Sequence, residues 1–137
     1  TDRIASVLES SRFCRQLQLI LLQGIAVAGF NVVDIHGLNR RLGMPVLVVS
    51  RRRPDLEAVR RALRGAVRGG ERKWRLIERA GPPRGLDGLW LQCAGLSCED
   101  ALPTVRRLAV HSRVPEPLRT AHLVAGGISG LRTRKPV

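Results

Sequence analysis

Leu17-Gln18-Leu19-Ile20-Leu21-Leu22, closed by Gln23-Gly24, is an almost continuous apolar run. That is the pattern of a strand covered on both faces in a parallel sheet. A second run, Pro45-Val46-Leu47-Val48-Val49-Ser50, leads into Arg51-Arg52-Arg53-Pro54, and Leu89-Trp90-Leu91-Gln92-Cys93 reads as a third strand. Helical patterns stand between them. Ile35, Leu38 and Leu42 share a face before Gly43, which suits the left-handed position after a helix. Leu56, Val59, Leu63 and Val67 recur at spacings of three and four behind Pro54, a residue suited to a first helical position.

Further elements follow from punctuation. Thr1 can cap a first helix that turns Ile4, Val7 and Leu8 to one face, and 25–31 reads as a glycine-punctuated loop. Residues 71–80 read as a helix closed by Gly81-Pro82-Pro83. Ser97 can cap a helix with Ala101, Leu102, Val105 and Leu108 inward, its start bent or delayed by Pro103. Pro115-Glu116-Pro117 opens the last helix, and Gly126, Gly127 and Gly130 lead to Arg132, Arg134 and Lys135. The expected organisation is one α/β domain over 1–125 and a basic tail over 126–137.

Strands alternating with helices imply right-handed parallel crossovers, so a mostly parallel sheet flanked by helices is expected. Three carboxyl ends would then meet at one end of the sheet: Gln23-Gly24, Ser50-Arg51-Arg52-Arg53 and Cys93-Ala94-Gly95. The helix starts near Asn31, Pro54 and Ser97 would join them. Ligands of open α/β sheets bind outside the carboxyl ends, and helix N-termini offer free N–H groups to anions. A phosphate site is the expectation.

Charge agrees with it. Of 137 residues, 24 are basic and 11 acidic, a net +13, and only Lys73 and Lys135 among the basic ones are lysines. Such a field attracts phosphate polymers and anionic surfaces. With Phe13, Phe30, Trp74 and Trp90 as the whole aromatic set, a stacking platform for single-stranded bases is excluded. Three cysteines, an odd number without dense spacing, fit a reducing compartment and form no zinc framework. The uncharged run 16–33 is 18 residues long but holds Gln16, Gln18, Gln23, Asn31, Gly24 and Gly29, which spoils it as a membrane span. No signal-peptide pattern precedes it, so a cytoplasmic location without membrane contact is expected.

One set of segments is distinctive as a whole. It comprises Leu21-Leu22-Gln23-Gly24-Ile25-Ala26-Val27-Ala28-Gly29-Phe30-Asn31-Val32-Val33-Asp34-Ile35, Pro45-Val46 with Arg51-Arg52-Arg53-Pro54-Asp55, Glu78-Arg79-Ala80-Gly81, and Pro115-Glu116-Pro117-Leu118-Arg119-Thr120-Ala121-His122-Leu123. In this order and spacing they resemble an uncharacterised archaeal family distantly related to endonuclease V. The resemblance implies an RNase H-like α/β fold, and for endonuclease V itself Mg²⁺-dependent cutting of DNA or RNA near deaminated adenine. It also implies N-terminal strands that would precede Thr1, one of them carrying a metal-binding aspartate. In that pattern an Asp-Gly stands where this chain has Gln23-Gly24, and a Gly-His where it has Gly95-Leu96. An amide lacks the anionic oxygen a hard cation prefers, leucine supplies nothing, and Asp2 is the one stand-in for the remaining glutamate. No nuclease metal site and no cofactor are therefore expected.

The candidate residues follow. Asp34, in the first turn of its helix, is a dipole partner or an acid, base or cation ligand facing the strand ends. His122 is a half-buried histidine or a catalytic partner. Gly24, Asn31, Arg51, Arg52 and Arg53 are the expected phosphate contacts, joined by Arg119 and by Arg60, Arg64 and Arg68, an i, i+4 stripe without interleaved acid. Glu116 and Arg119 can also pair at i, i+3. Two functions fit: a nucleic-acid or phosphate binding module, or an enzyme acting on a small phosphorylated or nucleotide-like substrate through Asp34, Arg53 and His122. A third reading, a structural fragment with arginine-rich coding, assigns no function. If the strand 17–22 has a bare side, a homodimer that covers it is expected.

Overall fold

The computed structural model describes residues 1–27 and 29–129. In chain order they form α1 (Asp2–Ser10), a 3-10 turn (Cys14–Gln16), β1 (Ile20–Gln23), β2 (Ala26–Val27), β3 (Asn31–Val32) and α2 (Ile35–Leu42). There follow β4 (Val46–Ser50), α3 (Leu56–Ala66), α4 (Gly70–Ala80), β5 (Arg84–Leu86), β6 (Leu89–Ala94), α5 (Cys98–Leu108) and α6 (Glu116–Ser129).

Four strands make one sheet in the order β1-β4-β6-β5. β1 and β4 are parallel, with Ile20 opposite Val46 and Gln23 opposite Val49. β6 runs antiparallel to both β4 and β5. The sheet is thus mixed, which corrects the expectation of a mostly parallel one. The cause is β5, a three-residue strand with no alternation to announce it. The α3–α4 crossover returns the chain to β5, parallel to β4, and a hairpin then brings β6 back between the two. Asp87 and Gly88 make that two-residue turn with φ of 52° and 74°. Such a pair suits the right-handed twist of the flanking strands. Because β6 is reversed, Cys93-Ala94-Gly95 lies at the end of the sheet opposite Gln23-Gly24, not beside it.

Residues Val46 to Val49 are at most 1% exposed, because both faces of β4 are covered. Val46 and Val48 pack with Ile20, Ala5, Ile35 and Leu38 on the side of α1 and α2. Leu47 and Val49 pack with Leu89, Leu91, Ala101, Val105 and Leu118 on the side of α5 and α6. A smaller cluster of Val32, Leu63 and Ile77 joins the α3–α4 pair to β3. Buried Gln92 satisfies its amide by donating to the Gly81 carbonyl at 2.7 Å.

β1 begins at Ile20, three residues later than the apolar run. Ile20 donates to the Pro45 carbonyl at 2.9 Å, and proline has no N–H with which to continue the ladder. The expected loop over 25–31 contains the antiparallel β2–β3 arm. Asp55, not Pro54, starts α3: its Oδ1 accepts the Ala58 N–H at 2.9 Å. Ser97 caps α5 as expected, and Pro103 lies inside that helix without interrupting it. Thr1 makes no side-chain cap; its Oγ1 accepts the Asp34 N–H at 2.9 Å. α6 continues through Gly126 and Gly127 to Ser129, and the rest of the expected tail, from residue 130, lies outside the described residues.

Candidate phosphate-binding end of the sheet

The parallel pair β1 and β4 carries Gln23-Gly24 and Ser50-Arg51-Arg52 to the same end. Gly24 takes φ 79° and donates its N–H to the Val49 carbonyl at 3.1 Å, which ties the β1 terminus to β4. Gln23, Gly24, Val49, Ser50, Arg51 and Arg52 line a shallow recess of about 380 Å³. Both guanidinium groups are exposed, and neither has an ion pair or hydrogen bond among the described residues. Two guanidinium groups beside a strand end make this recess a candidate site for phosphate oxygens.

Arg53 turns away from this recess, its guanidinium 5.5 Å from the centroid of Trp90. Asn31 lies on the β2–β3 arm, opposite Val27, outside the recess. The expected arginine stripe is broken by α4. Arg60 stacks 5.1 Å from the Trp74 centroid, Arg64 Nε lies 3.7 Å from Glu71 Oε1, and Arg68 falls past the end of α3. Arg119 pairs with Glu116 at 2.8 Å, as their spacing suggests, and this bond holds the Glu116 carboxyl below its usual range.

Asp34 is the N-cap of α2, not a residue of its first turn. Its Oδ1 accepts the Gly37 N–H at 2.9 Å, and its Oδ2 lies 3.7 Å from Arg79 Nη1. His122 stands half-buried on α6. Since α2 and α6 cover opposite faces of the sheet, Asp34 and His122 do not share a cleft.

Two features were missed by reading the sequence. Asp87, Leu89, Val105, Arg106, His111 and Arg113 line a cavity of about 690 Å³ beside the β5–β6 turn. The register places that turn at the same end of the sheet as Arg51, since Trp90 lies opposite Ser50. Arg106 Nε pairs with Asp87 Oδ2 at 2.8 Å, which lowers the Asp87 pKa. The dipeptide Asp87-Gly88 was the available signal. The second feature is a basic hollow of about 410 Å³ where Arg68, Arg72 and Lys73 stand around Asp34. No local pattern announces it, because its walls come from the start of α1, from β3 and α2, and from the α3–α4 turn and α4.

Mg²⁺, which the endonuclease V resemblance implies, does not fit the recess. Its lining contains an amide, a hydroxyl and two guanidinium groups but no carboxylate, and the two cations repel a divalent ion. Among the described residues no group of three His, Cys, Asp or Glu side chains is placed to hold a metal, and no helix is long and apolar enough to cross a membrane.

A mixed sheet between helical layers, with two exposed arginines where its parallel strands end, defines an α/β protein. The signature of the endonuclease dU family matches residues 1–129, and the chain belongs to that family. It is 50% identical to a UPF0215 protein of Deinococcus radiodurans over 129 residues, 94% of this chain and 66% of that protein. It is 42% identical to a UPF0215 protein of Methanothermobacter thermautotrophicus, covering 94% of this chain and 65% of the relative. The chain therefore spans just under two thirds of the length of these relatives. A crystal structure of an Archaeoglobus fulgidus protein of unknown function is similar at a TM-score of 0.89 and 37% identity, over 93% of this chain and 73% of that one.

Proposed function

We propose that this chain is an RNase H-like, endonuclease V-like module of the cytoplasm that holds nucleic acid by its phosphates and does not itself cut it. The observation that carries the reading is the recess at Gly24, where Arg51 and Arg52 stand without acidic partners among the described residues. The family's description as an endonuclease supports a nucleic-acid partner. Gln23 and Leu96, at the positions where the resemblance has a carboxylate and a histidine, argue against cleavage by this chain. The enzyme reading loses support, because Asp34 caps a helix on the face opposite His122.

Salt titration of duplex DNA binding tests it. Each arginine that meets one phosphate contributes about 0.9 to the slope of log K against log salt. The Arg51→Ala/Arg52→Ala variant is expected to bind more weakly with a shallower slope. Equal slopes for variant and native chain would refute the assignment of the recess. Chelator-sensitive cleavage of a deoxyuridine- or inosine-containing strand by the purified chain would refute the claim that it does not cut.

A further inference from the structure

Cys93 near the end of β6 and Cys98 at the start of α5 bracket the three-residue connection 95–97, at the end of the sheet opposite the arginine recess. Alternation along β6 turns Cys93 to the same face as Leu89 and Leu91, beneath α5. Cys98 is the first residue of α5, buried with Ala101 and Val105. The two Sγ atoms approach to 2.6 Å. The two side chains therefore point at each other without any rearrangement of strand or helix. β4 flanks Cys93 on one side through Leu47, but β5 pairs with β6 only as far as Leu91, so no paired strand covers the other flank of Cys93, which is half-buried. Cys14, the remaining thiol, packs in the other core cluster, on the α1 and α2 side.

We infer that Cys93 and Cys98 form a redox modification site, closing a reversible disulfide across the β6–α5 loop when the protein meets a peroxide-class oxidant. The Cys93 sulfur gives an electron pair to one peroxide oxygen, the O–O bond breaks, and a sulfenic acid and one water result. The Cys98 sulfur then attacks the Cys93 sulfur. Hydroxide leaves and takes up the Cys98 proton as a second water. Two thiols lose two electrons and one peroxide gains them. Burial pushes the Cys93 thiol up, away from the reactive thiolate, so closure answers sustained exposure and not rapid turnover.

The test treats the folded native chain with hydrogen peroxide, alkylates it in denaturant and digests it with trypsin. Both cysteines fall in one tryptic peptide, 85–106. That peptide is expected to weigh two hydrogens less and to resist alkylation until a dithiol reductant is added, while Cys14 stays alkylated. Cys14→Ser is expected to change nothing, and Cys98→Ser to abolish the loss of hydrogens. Three alkylated thiols after oxidation would overturn the assignment. So would a bridge involving Cys14 or a second chain, or sulfinic acid at Cys93 without a bridge. The native chain's peptide map decides the matter even where a serine variant folds poorly.

Discussion

Asp34 shows how one side chain can read as a catalytic candidate in sequence and take a helix-capping position in the fold. Its carboxylate caps α2 through the Gly37 N–H and faces Arg79. A Cβ at position 37 would come within 2.6 Å of Asp34 Oδ2, which accounts for the glycine there. Asp34→Ala is expected to lower stability by about 1 kcal/mol, the usual value of a lost cap. Its ion pair with half-exposed Arg79 adds little to that. Phosphate-induced amide shifts at Gly24, Arg51 and Arg52 should persist in this variant. Urea unfolding and a phosphate titration together check both halves; shifts abolished at full stability would restore a ligand-binding role to Asp34. The residue types at the recess were legible, since three arginines after an apolar run mark a strand's end. The turning of Arg53 toward Trp90 was not, because that partner comes from a strand nearly forty residues away in sequence.

At the scale of elements, the β5–β6 hairpin reverses the sheet's character. Its turn needs two residues at positive φ, and Gly88 at 74° is one of them. Gly88→Ala is expected to cost about 1–2 kcal/mol, the steric penalty of the left-handed region. Gly65→Ala is expected to act in the opposite direction. Position 65 lies within helical α3 with open space around its Cβ site, and alanine there should stabilise by about 0.5–1 kcal/mol. Thermal midpoints of the two variants, moving apart on either side of the native value, are the check. Asp87-Gly88 was readable as a hairpin turn. The strand before it is not readable, because Arg84-Gly85-Leu86 offers only three residues after Pro82-Pro83. β4, α3 and α4 were read nearly to the residue, because each has its own periodicity and stop signal.

For the whole molecule, the longest exposed apolar stretch lies on α6, beside β1. β1 is an outer strand of the sheet. α6 leaves Leu123 and Val124 each 55% exposed and Ile128 83% exposed, in a helix whose buried contact is Leu118. An unblocked strand edge beside an apolar helix face favours association, and a two-fold pair is the commonest closed form. We expect a dimer at micromolar concentration, weakened by Leu123→Glu/Ile128→Glu. Sedimentation of the native chain as one species near 15.1 kDa would show that β1 and α6 need no second copy.

What the sequence determined by itself was local: which runs bury on both sides, where helices are capped, and the excess of positive charge. These depend on neighbours within a few residues or on sums over the chain, and both are written in order along it. The tertiary structure decided strand direction, and with it which carboxyl ends meet. A parallel crossover and a crossover followed by a tight hairpin differ by three paired residues, Arg84–Leu86. Pairing energy across the sheet settles that choice, not the propensity of any segment. For the same reason Gly95 and Gly24 lie at opposite ends, and Arg64 and Arg119 find carboxylates while Arg51 and Arg52 meet none among the described residues. Neutralisation is a property of neighbours in space, and the chain brings those neighbours together only when it folds.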